Sequence, residues 1–516
     1  MPPFGLYPLA WIALIPLLAR WSSVRHPWTL VRETYATLLL MAAIAGFWVL
    51  LHRAMPAALL SGLGLLLAPL PHVGAFVLSA QLRKRFGLLA GLGALLTGVL
   101  AAEYLVAHSP FGLPWLLLGH TQTDALSFNQ IADLGGVGAL TLFVLVANIL
   151  GLLFVRTRLK PGVLPGGRML IALLFSATLS GAAVYGEERV LNLNEPTADL
   201  VVGLVQPALS INQWSDATDG QRVERLADLS DRLLRLGEPL IRPASTQPPA
   251  ATPENRLDLL IWPETALPYL PETDRQARLY QRLARWSAQR NLALLTGGMT
   301  RPGAHGAFRN SALLFGPTAS PQAYDQVHLT PFTETLPGVD LNPQLEAMVL
   351  PEPDAHLGTG DSLVVLDAGH YQVATPIGSE SLRGDQVRRF VSDGANLIVT
   401  LSHGGWWGQS PGASQHLRLT RLRAIETRRA VVLATVSGIT GTIDATGRIE
   451  PVAGWMEEEI TRRTLPLHET ETLYVQHGDW LGYYALFGAG WFLLIWGVAA
   501  VFFRRPKTAP RKRRRT

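Results

Sequence analysis

The chain has 516 residues, a hydrophobic fraction of 48%, a formal net charge of +5 and no cysteine. It is longer than one ordinary globular domain needs and too apolar for an ordinary soluble protein. The missing cysteines exclude a disulfide framework, a thiolate metal site and a cysteine nucleophile.

Read in chain order, apolar runs of membrane-spanning length fall at 4–20, 33–52, 56–80, 86–107, 134–155 and 168–186, and once more at 481–503. Basic residues cluster in alternate loops. Arg20, Arg25 and Arg32 follow the first run, Arg83, Lys84 and Arg85 the third, and Arg156, Arg158, Lys160 and Arg168 the fifth, whereas the intervening loops hold Arg53 alone or, across 108–132, no Lys or Arg. The positive-inside rule then puts the basic loops and the tail RRPKTAPRKRRRT (504–516) in the cytoplasm, and the long segment 187–480 on the opposite face, the periplasm of a bacterium. Such a tail also fits a nucleic-acid arm, but directly after an apolar helix it reads as a topology anchor that meets anionic lipid. Residues 1–20 compete with a signal peptide and are read as a span, because Arg20 and Trp21 end the run where a small-residue cleavage site would be needed. Glu103 falls inside the fourth run, where a carboxylate is costly and is expected to face the bundle interior or an interface.

Within 187–480, β-branched runs at 200–209, 257–265, 292–300, 311–317, 362–369, 396–405 and 430–438 read as strands, and 219–240, 273–289 and 413–428 as helices. The alternation implies an α/β sandwich. Residues 242–255, rich in Pro, Ala and Thr, read as a surface loop.

Three stretches carry candidate chemistry. In LLIWPETALP (259–268), Glu264 follows an apolar strand and a proline, a setting that raises a carboxyl pKa and suits a proton acceptor, although a strand-end Glu is also an ordinary turn residue. The loop AYDQVHLTPFTETLPG (323–338) offers His328 and Glu334, and LSHGGWWGQSPGASQH (401–416) offers His403, Trp406 and Trp407, which fit a core or a membrane-interface belt equally well. The segment QVATPIGSESLRG (372–384) has the strand, turn and helix layout that exposes a nucleophile above a sheet, with Gly378 and Ser379 at its tip.

Taken together, GLVQPALSINQWSD (203–216), WPETALP (262–268), YDQVHLTPFTETLP (324–337), SESLRGDQVRRF (379–390) and the block 402–440, with the membrane-proximal FGLPWLLLGHTQ (111–122), resemble the bacterial apolipoprotein N-acyltransferases over nearly the full length. The resemblance implies a polytopic helical bundle (1–186) and a periplasmic nitrilase-like αββα sandwich, or carbon–nitrogen hydrolase domain (187–480), followed by a last membrane helix (481–503) and the basic cytoplasmic tail (504–516). It also implies location in the bacterial inner membrane, phospholipid and lipoprotein as partners, and neither cofactor nor metal. In that family a cysteine thiolate takes an acyl chain from a phospholipid and yields it to the N-terminal amine of a lipoprotein, with a Glu as base and a Lys stabilising the oxyanion.

Position by position, the family Glu falls on Glu264, the Lys on Gln326 and the Cys on Gly378. Glu380 holds the family's Glu after the nucleophile, and Glu334 the Glu of the family's PFGE loop, though that loop's Gly is Thr333 here. Trp214 falls on the family's substrate-loop tryptophan and Trp406 on the tryptophan of its AWFG stretch, with Trp407 beside it, and all three count among the substrate-binding residues that the resemblance implies, as do Glu334 and Glu380. Two of three catalytic positions have changed together, which implies a protein of this class that binds lipid, lipoprotein or a partner without acyl transfer. The alternative is an acyltransferase or amide hydrolase rebuilt on Ser379, with Glu264, His328 or His403 as its base; Ser379 would otherwise cap a helix from 380. A transporter reading rests only on the spans and Glu103.

Overall fold

Among the described residues, six helices of the computed structural model are long and apolar enough to cross a membrane: Pro27–Leu51, Met55–Phe86, Leu88–His108, Ala132–Thr157, Gly166–Leu191 and Trp480–Phe502. The structure describes residues 6–24, 26–52, 55–109, 114–159, 165–217, 219–236, 256–267, 273–302, 306–316, 321–336, 357–406 and 408–502. The loop 242–255, the tail 504–516 and Trp407 lie outside these residues. Large apolar side chains such as Ile44, Leu59, Leu89, Phe487 and Trp491 point outward along the long helices, a surface that suits lipid.

Two expectations need correction, and the one for Glu103 holds. The first run is not one long helix: it divides into a 3-10 turn, Tyr7–Trp11, and the nine-residue helix Ile15–Ser23. Pro16 lacks the N–H that a helix continuing from Ile12 would need there, and nine residues reach only about 14 Å against a core of about 30 Å. The helix after the fifth run continues past the expected domain boundary at residue 186, to Leu191. Glu103 faces the bundle interior, where its carboxylate accepts from the Thr141 hydroxyl and the Leu118 N–H, and His72 lies 3.9 Å away.

Between the bundle and the last helix, twelve strands among the described residues form two six-stranded sheets. They are β1 Ala198–Gln206, β2 Leu259–Ile261, β3 Ala293–Thr300, β4 Arg309–Phe315, β5 Gln322–Asp325, β6 Leu366–Asp367, β7 Gln372–Ala374, β8 Leu397–Ser402, β9 Ala430–Thr435, β10 Thr440–Ile443, β11 Ile449–Ala453 and β12 Glu459–Leu467. One sheet runs β12-β1-β2-β3-β4-β5 and the other β11-β10-β9-β8-β7-β6. The period-2 pattern explains the layering. Leu259, Ile261, Ala293, Leu295, Ala312 and Leu314 share one core with the second sheet, while their neighbours Leu260, Leu294, Leu313 and Phe315 pack with Leu226, Leu229 and Leu283 from the helices Asp219–Arg235 and Thr273–Arg290. Helices Gly384–Ser392 and Pro411–Thr427 pack on the second sheet through Val387, Phe390, Leu417 and Ala424. The result is an αββα, nitrilase-like sandwich joined to a helical bundle.

Helix Pro411–Thr427 also faces the bundle. Gln415 Oε1 accepts from the indole nitrogens of Trp48 at 2.9 Å and Trp115 at 2.8 Å, and its amide donates to Ala45 O at 3.0 Å. At the next residue beyond the helix, Arg428 donates to Asp133 Oδ2 at 2.7 Å and to Gln130 Oε1 at 2.6 Å. Asp133 also collects Arg189 at 2.8 Å and the Tyr185 hydroxyl at 2.6 Å, so both of its carboxylate oxygens are paired at the seam.

Candidate active site

Glu264 stands just past β2, Gln326 just past β5, Gly378 after β7 and His403 after β8, at the carboxyl ends of strands where clefts of α/β sheets form. Gly297 on β3 allows the first of these placements. A Cβ there would lie 2.5 Å from the Glu264 Cα, so only glycine lets the Glu264 turn pack this closely.

A chain of hydrogen bonds joins the retained and altered positions. Asn310 Nδ2 donates to Glu264 Oε1 at 2.6 Å, the Gln326 backbone N–H donates to the Asn310 carbonyl at 2.8 Å, and Gln326 Nε2 donates to Glu334 Oε2 at 2.9 Å. The Thr330 N–H meets the same Glu334 oxygen at 2.6 Å, and the Thr330 hydroxyl lies 2.9 Å from Ser379 Oγ. Burial pushes the Glu264 carboxyl up to about 8, with the like charge of Glu334 adding to it and the Asn310 amide and His403 N–H opposing. Burial also raises Glu334, against its bonds to Thr330 and Gln326. Segment 187–480 contains no lysine, so none in the domain replaces the one absent at 326.

Gly378 opens a 3-10 turn, Gly378–Leu382, with φ +52°, and a Cβ built on it would meet nothing within 4 Å. The elbow therefore has the left-handed backbone of a sharp strand-to-helix turn, with open space where a side chain would project. Beneath it, Ser381 Oγ bonds the Gly378 carbonyl at 2.9 Å and His416 Nε2 at 2.7 Å, and burial takes His416 down to about 4.

Several site expectations change. Ser379 neither caps a helix nor meets Glu264, His328 or His403, because its hydroxyl is engaged by Thr330; the helix that follows begins only at Gly384. His328 and His403 are both driven by burial to about 4. Glu380 is held by protein groups. Fully buried, it accepts from the Tyr324 hydroxyl at 2.8 Å and from the N–H groups of Val327, His328 and Ile377, each at 2.9 Å, which clamps the loop after β5 to the elbow. Trp214 is likewise buried, its indole donating to Thr265 at 3.1 Å behind Glu264. Trp406 is 43% exposed, and its ring stacks on His52 of the bundle with centroids 5.8 Å apart. Phe332, in the loop that carries Glu334, reaches Gly64 of the helix Met55–Phe86, so this side of the site also abuts the bundle.

Asn310, Thr330, Ser381 and His416 are site residues that the sequence did not single out. Asn310 carries no local signal, standing between Arg309 and Ser311 at the polar start of its strand.

Residues 201–474 match the carbon–nitrogen hydrolase family, and residues 1–150 the apolipoprotein N-acyltransferase N-terminal domain. The chain is similar to the apolipoprotein N-acyltransferase of Chlorobaculum tepidum, at 29% identity over 96% of this chain and 93% of that one. It is equally similar to that of Geobacter metallireducens, at 29% identity over 98% and 92%. Among solved structures, Saccharomyces cerevisiae Nit3, of the nitrilase superfamily, aligns with TM-score 0.39 and 16% identity over 53% of this chain and 92% of its own.

Proposed function

Because the chain belongs to the carbon–nitrogen hydrolase family, in the branch that carries the apolipoprotein N-acyltransferase N-terminal domain, we propose that it is a membrane protein of lipoprotein biosynthesis that binds lipid, lipoprotein or a partner at the family's site without transferring an acyl group. One observation carries the reading: the elbow at Gly378 keeps its left-handed turn and the room for a side chain, and has no nucleophile to put there. The second change points the same way. Gln326 is a neutral amide bonded to Glu334, and a neutral amide offsets less of the charge that develops on an oxyanion than an ammonium does. Glu264 remains as a base with nothing to deprotonate at 378. The rebuilt-site alternative loses support from the engagement of the Ser379 hydroxyl by Thr330, since serine needs a base within hydrogen-bond reach. The alternating basic loops support an inner-membrane placement with the sandwich in the periplasm and the C-terminus in the cytoplasm.

Complementation in cells depleted of their own N-acyltransferase tests this. The native chain is expected to leave growth and lipoprotein N-acylation unrestored. The Gly378→Cys, Gln326→Lys double variant is expected to restore both, at a cost of about 1 kcal/mol for a side chain at positive φ. Restoration by the native chain that disappears in Ser379→Ala would replace this reading with a serine enzyme.

A further inference from the structure

We propose that Glu264, Glu334, Gln326 and Asn310 together form a binding site for a primary ammonium group. The proposal deepens the reading of the site as a binding pocket by naming the chemistry it receives, and it rests on that reading. The four residues form two side-chain pairs, Asn310 on Glu264 and Gln326 on Glu334, and the pairs are joined through the backbone by the bond from the Gln326 N–H to the Asn310 carbonyl. They carry two carboxyl groups, and segment 187–480 holds no lysine to sit between them.

The observation that points to a ligand is separate from the acids. Gln326 is 0% exposed and Asn310 2%, and the Oε1 of the first and the Oδ1 of the second have no hydrogen-bond partner among the described residues. Their orientation is fixed by chemistry, because each amide nitrogen already donates to a carboxylate, and a flip would set oxygen against oxygen. Both orphaned atoms are therefore acceptors. Burying an acceptor unpaired is costly, and burying a carboxylate without a counter-charge is more so.

A cation with N–H donors relieves both costs at once. The ammonium group carries three donors and no acceptor, which suits a set of two amide oxygens and two carboxylates of which some lone pairs are already taken. A bare metal ion is served less well: calcium takes six to eight oxygens and magnesium a near-ideal octahedron that keeps several waters. A glutamine side chain also ends one bond short of a lysine. An ammonium arriving from outside thus occupies the place the family's own would fill, with entry past the partly exposed Gly378, Ser379 and Glu334.

The test uses the full-length protein in detergent, with its thermal midpoint followed against methylammonium chloride at constant ionic strength. Sodium, tetramethylammonium, magnesium and calcium chlorides are run in parallel. A saturable rise with methylammonium alone is expected, because only a native-state ligand shifts the midpoint in this way. Glu264→Gln and Glu334→Gln should each weaken the apparent affinity about thirtyfold or more. Gln326→Lys should abolish the response, its own ammonium filling the site; if that variant does not fold, the two glutamine variants carry the test. Equal responses to sodium or tetramethylammonium, a saturable response to magnesium or calcium but not methylammonium, or an undiminished response in the variants would overturn the proposal. Failure here with complementation still negative would remove the ammonium site and leave the absence of acyl transfer standing, so the two readings fall separately.

Discussion

Glu264 is the retained catalytic-type residue, and its environment makes a measurable demand on pH. In the folded chain its carboxyl is raised to about 8, whereas an unfolded glutamate titrates near 4.5. Between these values the folded state holds a proton that the unfolded state has released, so the Glu264 contribution to stability is whole below about 4.5 and is lost as pH rises towards about 8. The neighbouring histidine runs the other way: His403, held down to about 4, adds stability as pH rises from there to 6.5. The Glu264 effect is therefore read as a difference. Stability of the native chain minus that of Glu264→Gln, from denaturant titrations, should fall with pH across 4.5–8 by at most about 1.4 kcal/mol per pH unit and be flat above that window. A flat difference throughout would mean that the carboxyl is not desolvated. At this scale the sequence revealed the positions that stand in local motifs, Glu264, Gln326 and Gly378. It did not reveal Asn310 or Thr330, because their roles come from contacts 46 and 49 residues away. It also did not show that Glu380 and Trp214 are buried and bonded within the protein, since a motif shows that a residue is needed but not which way it faces.

Among the elements, helix Pro411–Thr427 shows most clearly how a motif can mark something other than chemistry. The block that made the family resemblance specific, with Gln415, His416, Arg418, Arg421, Arg423, Glu426 and Arg428, is largely the seam between sandwich and bundle. The helix packs on the second sheet and on the bundle, so Arg423 and Glu426 are buried and paired with each other, while the half-buried Arg418 and Arg421 reach Asp124 and the Thr123 carbonyl of the bundle. Asp133 is the critical partner because Arg428, fully buried, gives it Nη2 at 2.7 Å. Asp133→Ala leaves that guanidinium without its counter-charge and should destabilise the chain by about 3 kcal/mol or more, seen as a lower melting temperature together with earlier proteolytic separation of sandwich and bundle. An unchanged midpoint would show that Gln130 and the Ala445 carbonyl alone satisfy Arg428. Long apolar helices and central strands were legible because their periodicity extends over many residues. The strands β10 to β12 and the two-residue β6 were missed or overextended, since their existence depends on pairing with distant strands.

At the scale of the whole molecule, the bundle and the sandwich meet along a polar seam while the long helices present apolar side chains outward, so the sandwich is expected to stand on one side of the bilayer. Which side is decided by charge. Lys84 and its arginine neighbours end the helix Met55–Phe86 at the far end from the seam, where Trp48 and Trp115 meet Gln415. Moving such a basic cluster across a bilayer is costly, so that end should be cytoplasmic and the sandwich periplasmic. The absence of cysteine makes this directly testable, because a single introduced thiol is the only one in the chain. Ser392→Cys, exposed at the end of a sandwich helix, should react with a membrane-impermeant maleimide in intact spheroplasts, while Lys84→Cys should react only after the membrane is opened. The reverse pattern would put the sandwich in the cytoplasm. It would also remove the site from the compartment where lipoprotein N-termini are presented, and with it the proposed binding role.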